Sequence, residues 1–124
     1  MSEKNSMILC TYNEVDFIEN SILTISKKIK NLELIIVDDD SQDGTQKIIE
    51  KYNNEPFLNL IIRKNENGLA SAFVRGIKET TGGRIGWIDT NMIYLIDYFP
   101  KMEQLLNDGN DIVLLSRYVK DGKD

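Results

Sequence analysis

Five short apolar runs, separated by segments of helical periodicity, constrain the fold of this chain more than any other feature. The runs cover residues 7–10, 34–37, 60–62, 85–88 and 112–115. They are continuous rather than alternating, which is typical of strands in a parallel sheet whose two faces are both covered by helices. The sequence therefore predicts five buried strands.

Helical patterns lie between these runs. Apolar residues recur at three- and four-residue spacing in 17–29 and in 69–77, which predicts two amphipathic helices. Segments 45–52 and 99–106 predict two shorter helices, the second with Pro100 in its first turn. Strands and helices alternating in this order predict an α/β fold with an open, mostly parallel, doubly wound sheet and helices on both faces.

Composition narrows the range of functions. A chain of 124 residues has room for one core, so we expect a single domain over residues 1–124. The absence of histidine excludes a Ser-His-Asp triad and a His-ligated zinc site. A net charge of -5 argues against nucleic acid as a partner. No apolar run approaches the ~20 residues that cross a bilayer, so we expect a cytoplasmic protein. Free cysteines are usually buried, so we expect the lone cysteine, Cys10, to be part of the core.

Acidic and polar side chains follow two of the predicted strands. Asp38, Asp39 and Asp40 come directly after the second run, and Asp89 and Asn91 come after the fourth. In open parallel sheets ligands bind outside the carboxyl ends of the strands, and adjacent carboxylates repel one another unless a cation or hydroxyl donors compensate. Neither a Gly-x-Gly-x-x-Gly motif nor a P-loop occurs. The pattern predicts a nucleotide-sugar site in which a divalent cation bridges the protein and a diphosphate.

Five sequence blocks, in order along nearly the whole chain, resemble family 2 glycosyltransferases, and most of all the dolichyl- or polyprenyl-phosphate mannose synthases. The blocks are Thr-Tyr-Asn-Glu at 11–14, Val-Asp-Asp-Asp-Ser-Gln-Asp-Gly-Thr at 37–45, Asn-Gly-Leu-Ala-Ser-Ala at 67–72, Ile-Asp-Thr-Asn at 88–91 and Ser-Arg-Tyr at 116–118. The resemblance implies the GT-A fold of nucleotide-diphospho-sugar transferases. It also implies a role for each matched residue.

Three kinds of site residue follow from the resemblance. The implied donor-binding residues are Thr11, Tyr12, Glu14, Asp38, Asp39, Gly68 and Leu69. Asp89 and Asn91 fall on the Asp-x-Asp motif of the family, which holds Mg²⁺ or Mn²⁺ against the diphosphate, and Asp89 is therefore also a catalytic candidate. Arg117 matches the arginine that is expected to bind the acceptor phosphate, and it is the second catalytic candidate.

The implied reaction is an inverting transfer of mannose or glucose from GDP-mannose or UDP-glucose to a polyprenyl or dolichyl phosphate. Such an acceptor would place the protein at the cytoplasmic face of a membrane, in peripheral contact with the lipid or with a membrane subunit. The acceptor phosphate is its own nucleophile, since its second pKa of about 6 leaves it largely ionised at neutral pH.

The sequence departs from the family pattern in three places. Cys10 stands where the family has proline, Asn91 stands where it has the second acid, and the pattern is expected to continue beyond Asp124. An amide oxygen brings no charge, so cation affinity should fall at Asn91. Two other functions remain open: a non-catalytic nucleotide-sugar-binding or interaction module, and a phospho-receiver domain with Asp89 as the phosphoacceptor.

Overall fold

The computed structural model describes residues 3–115, and its centre is a four-stranded parallel sheet. The strands are β1 (Asn5–Thr11), β2 (Leu32–Asp38), β3 (Leu58–Ile62) and β4 (Arg84–Trp87), and their spatial order is β3-β2-β1-β4. All three strand pairings are parallel. Four of the five predicted strands are thereby confirmed as strands. The predicted burial holds for β1 and β2, whereas the side chains of β3 and β4 are half-buried or exposed.

The four helices that the sequence predicted are present. They are α1 (Ile18–Lys28), α2 (Thr45–Glu50), α3 (Leu69–Glu79) and α4 (Phe99–Asn107). The chain moves from β1 through β2 to β3 at one edge and then returns through α3 to β4 on the other side of β1. Right-handed crossovers in this order place α1 and α2 on one face of the sheet and α3 on the other. The contacts agree, since α1 packs against α2 while α3 packs against β1 and β2.

The core is formed by the two central strands and the helices on either face. Its fully buried apolar side chains in β1, β2 and α1 are Ile8, Leu9, Leu34, Ile35, Ile36, Val37, Ile18, Ile22 and Ile25. Burial on both faces explains why the β1 and β2 sequences are continuous apolar runs. On the face opposite α1, α3 lies so close to the sheet that a Cβ atom added at Gly76 would stand 2.7 Å from Ile8 Cγ2.

The chain divides into two compact units, Met1–Tyr94 and Leu95–Asp124. The sheet belongs to the first unit. In the second unit α4 begins with Pro100 in its first turn, as the sequence predicts, and Gly109 follows the helix with a φ of 108°. Thr90–Tyr98, which joins β4 to α4, has 3-10 turns with a kink at Met92, and it was not predicted. Among the described residues no helix has both the length and the apolar character needed to cross a membrane.

The fifth apolar run, 112–115, is not a strand, so that prediction was wrong. The side chains of Ile112 and Leu114 are 78% and 81% exposed. A strand exists only where a neighbouring strand pairs with its backbone groups, and the described part of the second unit contains no strand. Apolar composition alone does not supply that neighbour.

The strand order decides against the phospho-receiver hypothesis. Receiver domains have the flavodoxin-like order 2-1-3-4-5, in which the first strand lies between the second and the third. Here β1 lies between β2 and β4, and β3 lies at the edge next to β2. Asp89 therefore follows a strand that occupies a different place in the sheet.

Candidate functional site

An open cleft of about 1010 Å³ lies at the carboxyl end of the sheet. The pairing register brings Thr11, Asp38 and Ile62 side by side at the ends of their strands, so the residues that follow them emerge at one edge. Eight of the residues expected in a donor and cation site line this cleft. They are Thr11, Tyr12, Glu14, Asp39, Gly68, Leu69, Asp89 and Asn91.

Asp38 is placed differently from the other predicted donor-binding residues, because it is fully buried and does not line the cleft. Its Oδ1 accepts hydrogen bonds from the hydroxyls of Thr11 (2.6 Å) and Ser41 (2.7 Å). Its Oδ2 accepts hydrogen bonds from the Ser41 amide (2.9 Å) and the Gln46 side chain (3.0 Å). The carboxylate thus joins the end of β1 to the loop that follows β2.

Hydrogen bonds between the loops after β1 and β2 hold one wall of the cleft. The backbone amide of Asn13 donates to Ser41 Oγ (2.7 Å), and the backbone amide of Gln42 donates to Asn13 Oδ1 (3.0 Å). The Glu14 amide donates to Thr45 Oγ1 (2.9 Å). Asp38, Ser41, Asp43 and Thr45 therefore build the loop scaffold with their side chains. Their neighbours Asp39, Asp40 and Gln42 line the cleft.

Asp43 is the acid of this block nearest to α2. It accepts hydrogen bonds from the Thr45 hydroxyl (2.5 Å), the Thr45 amide (3.0 Å) and the Val15 amide (3.2 Å). The Thr45 hydroxyl and then these backbone amides lower the pKa of the Asp43 carboxyl. This acid stabilises the start of α2, because it accepts a hydrogen bond from the backbone N–H of the first helical residue, Thr45.

The Asp89-Thr90-Asn91 turn is fixed through its central residue. Thr90 is buried, and its hydroxyl donates to Glu14 Oε2 (2.9 Å), while the Ser21 hydroxyl reaches the Thr90 carbonyl at 3.5 Å. Asp89 and Asn91, on either side, line the cleft. Glu14 thus supports the turn that carries the two candidate cation ligands.

The side chains of this turn fit a cation that is shared with a ligand. Among residues 3–115 no group of three or more His, Cys, Asp or Glu side chains is arranged to hold a metal ion. Asp89 and Asn91 offer one carboxylate and one amide oxygen. Mg²⁺ binds hard oxygen ligands and commonly takes one or two from the protein and the rest from water and substrate phosphates. These two protein ligands therefore suit a cation that also binds a diphosphate, and they are too few to enclose a cation on their own.

Arg63 is the main residue of the cleft that the sequence reasoning missed. It follows β3 directly, and its side chain is only 2% exposed. Its Nε and Nη2 donate to Asp39 Oδ1 (2.7 Å) and Oδ2 (3.0 Å), which makes a two-pronged ion pair. The pairing with Asp39 raises the pKa of the guanidinium above its already high value. The available signal was a cationic residue directly after an apolar run, since an arginine that becomes buried at a strand end requires a partner.

Cys10 both contributes to packing and lines the cleft. It is half-buried and packs against the cluster of Ile35, Val37 and Ala72, which agrees in part with its predicted place in the core. Burial first, and then the nearby charges of Asp39 and Asp89, raise the pKa of the thiol to about 11. The thiol is protonated at neutral pH and is not a nucleophile there.

The Ser-Arg-Tyr block at 116–118 lies outside the described residues. The assignment of Arg117 to the acceptor phosphate therefore stays a prediction from the resemblance.

Comparison with known proteins agrees with this geometry. The profile of Glycosyl transferase family 2 matches residues 6–124. The dolichol-phosphate mannosyltransferase of Pyrococcus furiosus is 35% identical over 122 residues, which are 97% of this chain and 35% of that protein. The dolichol-phosphate mannosyltransferase of Mycosarcoma maydis is 35% identical over 94 residues, which are 75% of this chain and 32% of that protein. The chain thus spans about a third of the length of these curated relatives.

A solved structure extends the likeness to a protein with a bound donor. The mannosyltransferase of Pyrobaculum calidifontis, in complex with GDP-Man and Mn²⁺, superposes with a TM-score of 0.64 at 26% identity, over 73% of this chain and 28% of that one. The family profile, which covers nearly all of the sequence, shows that the chain belongs to glycosyl transferase family 2.

Proposed function

We propose that this chain forms the donor-binding part of an inverting hexosyltransferase. It would use a divalent cation and move mannose or glucose from GDP-mannose or UDP-glucose to a polyprenyl or dolichyl phosphate. The observation that carries the proposal is the convergence, on one cleft, of eight residues from four strand ends that were assigned to donor and cation binding. The similarity to a dolichol-phosphate mannosyltransferase and to a mannosyltransferase in complex with GDP-Man and Mn²⁺ supports it.

The charge of the cleft supports a role for a cation. Its described lining contains five carboxylate residues, Glu14, Asp39, Asp40, Glu66 and Asp89, but only two cationic ones, Arg63 and Lys64. Since Arg63 is already paired with Asp39, a diphosphate that entered this cleft would meet an excess of negative charge. When bound by Asp89 and Asn91, Mg²⁺ or Mn²⁺ would offset that repulsion and stabilise charge on the departing nucleoside diphosphate.

The other walls suit the remaining parts of a nucleotide sugar. Tyr12 is 63% exposed and offers an aromatic face on which a base can stack. Gly68, with a φ of 106°, precedes α3, so the helix begins with its amino terminus at the cleft. The partial positive charge of a helix amino terminus favours phosphate groups.

The acceptor half of the reaction needs little acid-base help from the protein. A phosphate monoester with a second pKa of about 6 is largely ionised at neutral pH, so its oxygen can attack the anomeric carbon directly. A chain without histidine can support that chemistry. We propose that Arg117 orients this phosphate.

Thermal unfolding with and without ligand tests the proposal. A ligand present at about 100 times its Kd adds about 2.7 kcal/mol to the free energy of unfolding. GDP-mannose or UDP-glucose should therefore raise the Tm when Mn²⁺ is present, whereas free mannose should not. A Tm that neither donor changes would count against the proposed function.

Asn91 favours a second candidate function, a module that binds the nucleotide sugar without transferring it. The residue replaces the second acid of the Asp-x-Asp motif with a neutral amide, which weakens the hold on the cation. Incubation of the protein with labelled donor and polyprenyl phosphate separates the two functions. Donor binding without labelled lipid product would favour the module.

The Asn91→Asp substitution should strengthen cation-dependent donor binding. A second carboxylate adds a negative charge next to the cation, and we expect donor affinity in Mn²⁺ to rise by about tenfold, or about 1.4 kcal/mol. Titration calorimetry measures the change, and Asn53→Asp, which adds the same charge at an exposed position outside the cleft, is the control. A donor affinity in Mn²⁺ that Asn91→Asp leaves unchanged would refute the assignment of residue 91 as a cation ligand.

A further inference from the structure

We propose that Arg63 is a positioning residue that fixes the Asp39 carboxylate toward the nucleoside of the donor and thereby sets the preference between nucleotide bases. The inference rests on the proposed function, because it presupposes that a nucleotide sugar occupies the cleft. It goes further in assigning base selectivity to an ion pair that includes a residue outside the recognised sequence blocks.

The contacts of Arg63 show a side chain held in one orientation. Its Nε and Nη2 donate to the two oxygens of Asp39 at 2.7 and 3.0 Å, as described above. Nη2 also donates to the Gly68 carbonyl (3.1 Å), and Nη1 donates to Ser71 Oγ (2.9 Å) and Glu66 Oε2 (3.3 Å). The planar guanidinium is thereby tied to the end of β2, to the loop after β3 and to the first turn of α3.

The Asp39 carboxylate is correspondingly restrained. Its side chain is 11% exposed, and it lines the cleft. Its backbone amide also donates to the Thr11 carbonyl (3.0 Å), so both ends of the residue are held. A carboxylate has about four acceptor positions on its two oxygens, of which Arg63 uses one on each. The acceptor positions that remain can receive hydrogen bonds from a ligand in the cleft.

An oriented carboxylate discriminates between bases because it accepts hydrogen bonds and donates none. Guanine presents two adjacent N–H donors, N1–H and the 2-amino group, to such an acceptor. Uracil presents one N–H between two carbonyl oxygens, which repel a second carboxylate oxygen. The difference depends on the angle of the carboxylate, and a bidentate guanidinium restrains that angle in a way that a lysine ammonium, a point charge, does not.

Substitution of Arg63 should therefore alter selectivity as well as affinity. We expect Arg63→Lys to keep the charge but lose the two-pronged geometry, so that affinity for the preferred nucleoside diphosphate in Mn²⁺ falls about tenfold. The ratio of the affinity for the preferred diphosphate to the affinity for the other one, GDP and UDP being compared, should fall toward one at the same time. Arg75→Lys, the same substitution at a half-exposed position of α3 outside the cleft, should change neither quantity by more than about twofold.

Calorimetric titration of GDP and of UDP, each with Mn²⁺, into the parent chain, Arg63→Lys and Arg75→Lys measures both quantities. A fall in selectivity that is confined to Arg63→Lys supports the proposal. Equal losses of affinity for GDP and UDP would indicate a purely structural role and overturn it, as would an unchanged ratio or a parent chain without base preference. A parent chain that binds neither diphosphate would instead refute the proposed function itself.

A neutral pair keeps the proposal testable if Arg63→Lys does not fold. The double variant Arg63→Gln with Asp39→Asn leaves no unpaired buried charge, and such replacements are tolerated better than the loss of one partner. It should fold and should lack the base preference of the parent. Retention of that preference by the double variant would show that the ion pair does not set it.

Discussion

Replacement of Asp89 by Asn should abolish Mn²⁺-dependent donor binding while leaving the fold intact. The substitution removes the only carboxylate of the Asp89-Thr90-Asn91 turn, and two neutral amides would then face the cation. Loss of a residue that only orients a metal ligand lowers metal affinity by about 10- to 100-fold. Because Asp89 is a candidate ligand itself, we expect donor affinity in Mn²⁺ to fall by at least about 100-fold. Titration calorimetry of the donor in Mn²⁺ measures this loss.

Asp16→Asn is the matched control for this experiment. It removes the same charge from an exposed position outside the cleft, and it should change donor affinity by less than about threefold. Asp89→Asn and Asn91→Asp should also act in opposite directions. Donor binding by folded Asp89→Asn with the affinity of the parent chain would refute the proposal that Asp89 holds a cation needed for donor binding.

Replacement of Asp38 by Ala should destabilise the protein strongly. Four hydrogen bonds end on this buried carboxylate, and its removal leaves the donors of Thr11, Ser41 and Gln46 without their acceptor. Each unsatisfied buried group costs about 1–3 kcal/mol, so we expect a total loss of about 3–5 kcal/mol in the free energy of unfolding. Urea unfolding, followed by circular dichroism, measures it.

The control is Asp16→Ala, which truncates an exposed aspartate in the loop before α1. It should cost less than about 1 kcal/mol. If Asp38→Ala unfolded at the same urea concentration as the parent and failed only to bind donor, Asp38 would be a ligand contact and its hydrogen bonds would not be what holds the loops.

The sheet could be predicted from sequence because its two central strands are buried on both faces. This burial requires the apolar runs of β1 and β2, and the helical spacing of the segment between them, α1, is equally regular. The run 112–115 shows the limit of such reasoning. It has the composition of a strand, but whether it pairs depends on a neighbour that the local sequence does not specify.

The candidate site was predictable where its residues follow strands directly. Asp39, Asp89 and Asn91 emerge together because parallel strands end at one edge of the sheet. Asp38 and Asp39 are adjacent in sequence and chemically identical, yet alternation along the chain buries the first and leaves the second at the cleft. The role of Arg63 depends on contacts from two other elements, and a single sequence does not show such contacts.

The most direct test of the central claim is titration calorimetry of GDP-mannose into this chain with Mn²⁺, repeated with a chelator, with UDP-glucose as the comparison. If the cleft is a cation-dependent donor site, one of the two donors binds in Mn²⁺ and the chelator abolishes this binding. Binding that survives the chelator, or no binding of either donor to the folded protein, would contradict that claim.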